Sequence, residues 1–122
     1  MAKSILVVDD SASLRQMLVM TLQEAGFTVM QGENGKDALG KLGDQRVDLV
    51  ITDLNMPVMD GIALIKNLRA RTESKFTPIL MLTTESSAEK KQEGKAAGAT
   101  AWIVKPFEPV KLLQAVDRLF LK

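Results

Sequence analysis

The sequence predicts an α/β fold in which a parallel sheet is covered by helices on both faces. Five short aliphatic runs alternate along the chain with stretches of helical periodicity, as expected when each strand is followed by a crossover helix. Most of these runs are apolar throughout rather than alternating, which is typical of strands buried on both faces. The length of 122 residues suits a single domain, and we expect one over residues 1–122.

The predicted strands are β-branched or aliphatic runs. They are Ile5–Val8, Phe27–Met30, Val47–Ile51, Pro78–Leu82 and Ala101–Val104. Between them, apolar residues recur at helical spacing, which predicts amphipathic helices. The residues of these apolar faces are Leu14, Met17, Leu18 and Leu22, then Ala38, Leu39 and Leu42, then Ile62, Ile65 and Leu68, and finally Val110, Leu113, Val116 and Phe120.

Capping residues indicate where the helices begin and end. Gly26 follows the first helix, where a glycine can adopt the left-handed conformation that ends a helix. Asn34 is a predicted N-cap of the second helix, and Ser86 or Ser87 is a predicted N-cap of the fourth. Pro109 suits the first turn of the last helix.

The fourth helix is the element with the weakest sequence pattern. Its sequence, SSAEKKQEGKAA over Ser86–Ala97, has no strong apolar stripe and contains Gly94 in its interior. An interior glycine costs about 1 kcal/mol relative to alanine. We therefore expect a shallowly anchored helix, which is either a solvated surface element or a mobile element with a role.

Composition excludes several classes of function. The 16 Lys and Arg residues nearly balance the 15 Asp and Glu residues, so a net charge of +1 gives no broad basic surface for DNA or anionic membrane. The absence of Cys and His excludes disulfides, thiolate or imidazole metal sites and catalysis by either residue. The N-terminal run Ile5–Val8 is too short for a signal peptide or membrane span, so a cytoplasmic location is expected.

Acidic residues converge where the predicted strands end. Ligand sites of open parallel sheets lie just beyond the carboxyl ends of the strands. The first strand is followed by Asp9 and Asp10, the third by Asp53, the fourth by Thr83 and the fifth by Lys105. Singly, these are explained as a helix N-cap, a turn residue or a solvated lysine. Their arrival at one edge of the sheet favours a common site.

The residue types at this edge indicate a particular chemistry. Clustered carboxylates repel one another, and a bound cation relieves that repulsion. Mg²⁺ prefers oxygen ligands and is commonly held by one or two carboxylates together with a phosphate. An aspartate can form an acyl phosphate. The prediction is therefore Mg²⁺-assisted phosphoryl transfer to an aspartate, with Lys105 and Thr83 contacting other phosphoryl oxygens.

Four motifs follow one another along the chain. They are VVDD (Val7–Asp10), ITDLNMPVMDG (Ile51–Gly61), LTTE (Leu82–Glu85) and WIVKPF (Trp102–Phe107). Together, in this order and spacing, they resemble the receiver domains of two-component response regulators, and the resemblance covers essentially the whole chain. It is strongest to single-domain chemotaxis regulators of the CheY type. The resemblance implies a flavodoxin-like (βα)5 fold with a doubly wound parallel sheet and strand order 2-1-3-4-5.

The resemblance also implies roles for residues of the acidic edge. Asp53 would accept the phosphoryl group from a phosphohistidine. Asp10 and Asp53 would bind Mg²⁺ directly, Asp9 would act through water, and Asn55 would contribute its backbone carbonyl. Lys105 would contact the phosphoryl group.

Further roles concern the switch that reads phosphorylation. Thr83 would be the switch hydroxyl, and Trp102 takes the position of the switch aromatic, where Tyr or Phe is more familiar. The indole is larger than those rings and is only a donor. Asn55 and Glu85, two residues after Asp53 and Thr83, would tune hydrolysis of the acyl phosphate. A cis peptide bond before Pro106 is also implied.

The implied function is that of a stand-alone response regulator phosphorylated by a histidine kinase. Phosphorylation would change the surface of the fourth helix, fifth strand and fifth helix, to which a downstream protein such as a motor switch binds in chemotaxis or motility. A phosphatase is a further implied partner. We expect a monomer that helps catalyse its own phosphorylation and dephosphorylation without being an enzyme in the turnover sense, and that contacts neither nucleic acid nor membrane.

Several alternatives stay open. Within the family, these are a phosphate sink, a phosphorelay intermediate and a phosphorylation-independent binding module. A flavoprotein would need a Ser/Thr/Gly-rich phosphate loop where the chain has Asp9 and Asp10. A phosphatase with an aspartate nucleophile would carry it on the first strand, whereas Asp53 follows the third. A DNA-binding regulator would need a recognition domain, whereas 17 residues follow Lys105.

Overall fold

A computed structural model describes residues 2–121, in which five strands and five α-helices alternate along the chain. The strands are β1 (Ser4–Val8), β2 (Thr28–Gly32), β3 (Leu49–Thr52), β4 (Ile79–Thr83) and β5 (Ala101–Val104). The helices are α1 (Ala12–Glu24), α2 (Gly35–Leu42), α3 (Gly61–Ala70), α4 (Ala88–Ala97) and α5 (Pro109–Phe120), with a short 3-10 helix at Thr72–Ser74. These strands coincide with the predicted runs to within two residues at each end.

The strands form one parallel sheet in the order β2-β1-β3-β4-β5. The strand order and the doubly wound α/β fold implied by the resemblance are therefore confirmed. Among residues 2–121, no helix combines the length and the apolar character needed to cross a membrane.

The core consists of two apolar layers, one on each face of the sheet. The first layer packs strand residues against α2 and α3 and includes Leu6, Val8, Ala38, Leu42, Val50, Ile62, Ile65, Leu68, Ile79 and Met81. The second packs the alternate strand residues against α1 and α5 and includes Ile5, Val7, Leu18, Leu22, Leu49, Ile51, Leu80, Leu82, Leu112 and Val116. Burial of both faces explains why the strand sequences are apolar throughout.

Most of the predicted helix boundaries are confirmed. The side chains of Asn34 and Ser87 each accept a hydrogen bond from a backbone N–H of the first turn of α2 and α4. Gly26 has a φ of +99° just after α1, and Pro109 is the first residue of α5. The N-cap of α1 is Ser11.

Helix α4 is anchored at its C-terminal end by an arginine of α3. Arg69 donates from Nε and Nη2 to the carbonyl of Gly98, at 3.2 and 2.8 Å. Its Nη1 donates to the carbonyls of Ser74, Lys75 and Thr77, at 3.0, 3.2 and 2.6 Å. One guanidinium thus joins α3, the loop before β4 and the end of α4.

We expect the Arg69→Met variant to lower the free energy of unfolding by about 2–3 kcal/mol, because buried carbonyls lose charge-assisted hydrogen bonds. Urea denaturation followed by circular dichroism measures this change. Lys66→Met, at an exposed position of the same helix, is the control and should change stability by less than about 0.5 kcal/mol. Equal stabilities of the two variants would contradict the anchoring role.

Candidate functional site

Three aspartates meet at the carboxyl edge of the sheet. Val8 of β1 pairs with Thr52 of β3, so Asp9 and Asp53 leave their strands side by side. One carboxylate oxygen of Asp9, of Asp10 and of Asp53 lies within 4.8 Å of each of the others. Asp9 and Asp53 are buried and Asp10 is exposed. The structure therefore brings together the three carboxylates that the sequence predicted at this edge.

Lys105 compensates the two buried carboxylates. It follows β5, and its Nζ lies 2.8 Å from Asp9 Oδ2 and 3.1 Å from Asp53 Oδ2. Burial acts to lower the pKa of the Lys105 ammonium, but the hydrogen bond to Asp9 and the negative charges of Asp53 and Asp9 outweigh it and raise the pKa above its ordinary value. Lys105 is therefore a permanent cation at neutral pH. The peptide bond from Lys105 to Pro106 is cis, as the resemblance implied.

The remaining carboxylate oxygens are oriented by backbone donors. The N–H of Ser11 donates to Asp9 Oδ1 at 2.9 Å, and the N–H of Leu54 donates to Asp53 Oδ1 at 2.7 Å. The explanation of Asp9 or Asp10 as a helix N-cap is wrong, because the hydroxyl of Ser11 accepts the N-cap hydrogen bond of α1. The Asp9 carboxylate instead accepts one hydrogen bond from the N–H of Ser11 and one from Lys105 Nζ.

The donor set fits a divalent cation. Three carboxylates and one ammonium give a formal charge of −3 + 1 = −2 in a partly buried cluster. Oxygen ligands at this spacing suit Mg²⁺, which relieves like-charge repulsion that one lysine leaves uncompensated. Asp9, Asp10 and Asp53 are the side chains able to hold it, and Asn55 lies exposed two residues after Asp53.

Arg15 is a residue of this site that the sequence analysis did not single out. Its Nη1 donates to the backbone carbonyl of Asp9 at 2.6 Å, and its Nε donates to Gln31 Oε1 of β2 at 3.3 Å. The guanidinium therefore ties the loop that carries Asp9 and Asp10 to the neighbouring strand. Its sequence signal is that it is the one charged residue in the first three turns of α1.

Thr83 is the last residue of β4, and Glu85 lies on the loop between β4 and α4. Thr83 is fully buried, and its hydroxyl accepts a hydrogen bond from the N–H of Glu85 at 3.3 Å. The carbonyl of Glu85 in turn accepts a hydrogen bond from Nε1 of Trp102 at 3.0 Å. The Glu85 carboxylate is not directed at the aspartates, since it accepts from the hydroxyl of Ser87 at 2.7 Å. The structure therefore joins Thr83 to Trp102 through the backbone of Glu85.

Comparison with known proteins identifies the family. The family model described as the response regulator receiver domain matches residues 5–117. The chain belongs to the response regulator receiver domain family. This confirms the prediction from the four sequence motifs.

Similar proteins include two from Vibrio cholerae. The chain is 40% identical over 117 residues to the chemotaxis protein CheY-3, covering 95% of this chain and 90% of CheY-3. A solved structure of the chemotaxis protein CheY4 superimposes with a TM-score of 0.94 at 53% identity, covering 98% of this chain and 99% of that chain.

A third similar structure is the receiver domain of the sensor histidine kinase PA1611 from Pseudomonas aeruginosa PAO1. It matches with a TM-score of 0.91 at 24% identity over 100% of both chains, and it has a magnesium ion coordinated in its active-site cleft. At this identity the likeness shows the fold. Together, the comparisons identify a CheY-like receiver domain of a response regulator, acting in two-component signalling.

The ion pairs of Lys105 generate a prediction for stability. Lys105→Met leaves two buried carboxylates without their cation, so we expect the free energy of unfolding at neutral pH to fall by about 3 kcal/mol. The raised pKa of Lys105 means that its stabilising contribution is present below the ordinary value of 10.5 and is lost as the pH rises through the higher folded-state value.

Denaturant unfolding across this pH range tests the prediction. Lys111→Met is the control, because Lys111 forms an exposed ion pair with Glu108 at 3.6 Å and its removal should change stability by at most about 1 kcal/mol. A Lys105→Met effect that is independent of pH would argue against an electrostatic role.

Proposed function

We propose that the chain is a response regulator receiver domain, one domain over residues 1–122, that accepts a phosphoryl group on Asp53 from a histidine kinase in a Mg²⁺-dependent reaction. The observation that carries this proposal is the environment of the Asp53 carboxylate. It is buried at the edge of the sheet, it contacts Lys105 Nζ at 3.1 Å, and it lies beside the carboxylates of Asp9 and Asp10.

In the proposed transfer, an Asp53 carboxylate oxygen attacks the phosphorus of a phosphohistidine. The new P–O bond forms as the bond from phosphorus to the imidazole nitrogen breaks, and the electron pair leaves with the imidazole. Mg²⁺, when bound, neutralises negative charge on the arriving phosphoryl oxygens. The N–H of Leu54 holds Asp53 Oδ1 in position. Lys105 Nζ, which contacts Asp53 Oδ2, would stabilise the negative charge that develops on a phosphoryl oxygen.

Thr83 and Lys105 would then read the phosphoryl group. A phosphoryl group adds roughly −1.5 to −2 charge and three acceptor oxygens, as it does on other side chains. We propose that the hydroxyl of Thr83 moves to donate to one of these oxygens and that the loop moves with it, because the N–H of Glu85 donates to that hydroxyl. Since Glu85 also holds Trp102, the shift reaches the surface formed by α4, β5 and α5. We propose that Asn55 and Glu85 set how fast the acyl phosphate hydrolyses.

The charge on this surface supports a protein target with acidic residues. A cavity of about 290 Å³ beside Trp102 is lined by Lys91 and Lys95 of α4. A second cavity of about 430 Å³, which Trp102 also lines, is bordered by Lys111 and Arg118 of α5. Because Trp102 lines both basic cavities, a movement of its side chain would change both, and we propose a motility protein such as a motor switch as the target.

The similarity to chemotaxis proteins supports this assignment to chemotaxis or motility. The proposed partners are a histidine kinase, the target protein and a phosphatase. The protein itself would be a cytoplasmic monomer that promotes its own phosphorylation and dephosphorylation without repeated turnover.

We expect a small-molecule phosphodonor with Mg²⁺ to yield one covalent phosphoryl adduct, detected by intact-protein mass spectrometry, and to change the fluorescence of Trp102, the only tryptophan. Asp53→Asn should abolish the adduct and the response to the phosphodonor, because an amide oxygen is not an anionic nucleophile. An adduct that survives this substitution would place the phosphoacceptor elsewhere. No adduct and no metal response would favour a phosphorylation-independent binding module.

The position of Arg15 generates a prediction for Mg²⁺ binding. Arg15→Lys keeps the charge but loses the pair of donors that joins the Asp9 carbonyl to Gln31, so the affinity for Mg²⁺ should fall roughly tenfold, as for other residues that orient metal ligands. Isothermal titration calorimetry measures this affinity. Arg46→Lys, at an exposed position before β3, is the control and should bind Mg²⁺ as the parent does. If Arg15→Lys binds Mg²⁺ as tightly as the parent protein does, the charge of Arg15 alone matters and its orienting hydrogen bonds do not.

A further inference from the structure

Helix α4 has an unusual attachment to the rest of the domain. Gly94 is its one buried residue, and Ala97 is its one apolar side chain packed against the first apolar layer, so the helix inserts no large side chain into the core. Its C-terminal end is held through the hydrogen bonds between Arg69 and the carbonyl of Gly98. A further contact with the core runs through Trp102 of β5, which packs against the first apolar layer.

The indole of Trp102 occupies the space above Gly94. A Cβ atom built on Gly94 would lie 2.6 Å from Cζ3, 3.5 Å from Cε3 and 3.6 Å from Cη2 of that ring. The first distance is too short for two non-bonded carbon atoms, so the ring would have to shift out of this position. At its other end, the same ring donates from Nε1 to the carbonyl of Glu85. One side chain thus connects the loop after β4 with the middle of α4.

The backbone gives no reason for a glycine at this position. Gly94 lies inside a regular helix, and it is not among the glycines with a positive φ, which are Gly26, Gly43 and Gly98. Its carbonyl accepts hydrogen bonds from the N–H groups of Gly98 and Ala99, which an alanine carbonyl would accept equally well. Glycine lowers helix stability there relative to alanine. The contact with Trp102 is the feature of the structure that requires it.

We propose that Gly94 is the positioning residue of the switch: the space left by its missing side chain seats the indole of Trp102 in the inward position, where Nε1 reaches the Glu85 carbonyl. The inference rests on the proposed function in so far as Trp102 reports phosphorylation. It also explains two features together. The large indole at a position where smaller rings are more familiar and the glycine inside α4 are complementary in size.

The test compares Gly94→Ala with Gly40→Ala in the protein without phosphodonor. Gly40 is the matched control, because it lies inside α2 and a Cβ atom there would meet no atom within 4 Å. Both substitutions favour helix formation, but only the first displaces the indole. We expect Gly94→Ala to shift Trp102 emission to longer wavelength and to increase its quenching by acrylamide, whereas Gly40→Ala leaves both unchanged.

Further outcomes separate positioning from a merely structural role. In Gly94→Ala, the fluorescence change caused by Mg²⁺ and phosphodonor should be largely lost, while the phosphoryl adduct on Asp53 still forms. Emission and quenching of Gly94→Ala that match those of Gly40→Ala would overturn the proposal. These comparisons in the unphosphorylated protein stand even if no adduct is ever found, so failure of the proposed function is distinguishable from failure of this inference.

A double variant keeps the proposal testable if Gly94→Ala does not fold. Trp102→Phe provides a smaller ring, so adding it to Gly94→Ala should restore folding. If Gly94→Ala does fold, it should lower the melting temperature of the protein that has Trp102 and raise the melting temperature of the Trp102→Phe variant. Gly40→Ala should raise the melting temperature in both backgrounds. Equal effects of Gly94→Ala in the two backgrounds would overturn the proposal.

Discussion

The ion pairs of Lys105 with Asp9 and Asp53 are the interaction on which the organisation of this domain depends. Pairing of β1 with β3 forces two carboxylates to emerge side by side at one edge of the sheet, and their burial would be unfavourable without a cation. The cation comes from β5, two strands away from β3, so the lysine reaches across the end of β4. Thr83 ends β4, and its carbonyl accepts a hydrogen bond from the N–H of Lys105 at 2.8 Å.

This arrangement explains how a change of charge becomes a change of packing. Under the proposed function, a phosphoryl group on Asp53 would compete with the carboxylates for Lys105 and would offer acceptor oxygens to the hydroxyl of Thr83. The next link is the backbone, because Glu85 lies two residues after Thr83, on the loop that begins where β4 ends. The last link is the hydrogen bond from Trp102 to the Glu85 carbonyl. Electrostatics thus acts at the aspartates, and steric fit acts at α4.

The sequence predicted those features that depend on local pattern or on position at a strand end. Strands, most caps and the meeting of Asp9, Asp10 and Asp53 belong to this class, because parallel strands end at a common edge. The strand order came from the resemblance and not from spacing. Features that depend on pairs of side chains from different elements were not predictable, and the contacts of Arg15 with Gln31 and of Trp102 with Gly94 are examples.

The sequence predicts that α4 is weakly anchored, and this weak anchoring limits the free energy that is needed to move the helix. Shifting a two-state equilibrium from 1:99 to 99:1 requires about 5.5 kcal/mol of differential interaction. Each large apolar side chain that α4 buried would stabilise one arrangement by about 1.5–3 kcal/mol, so roughly two to four of them would reach that amount. With Gly94 as its one buried residue and Arg69 fixing one end, α4 can change position mainly through the seat of a single indole. If the proposed function holds, α4 would therefore respond to phosphorylation of Asp53 without a reorganisation of the core.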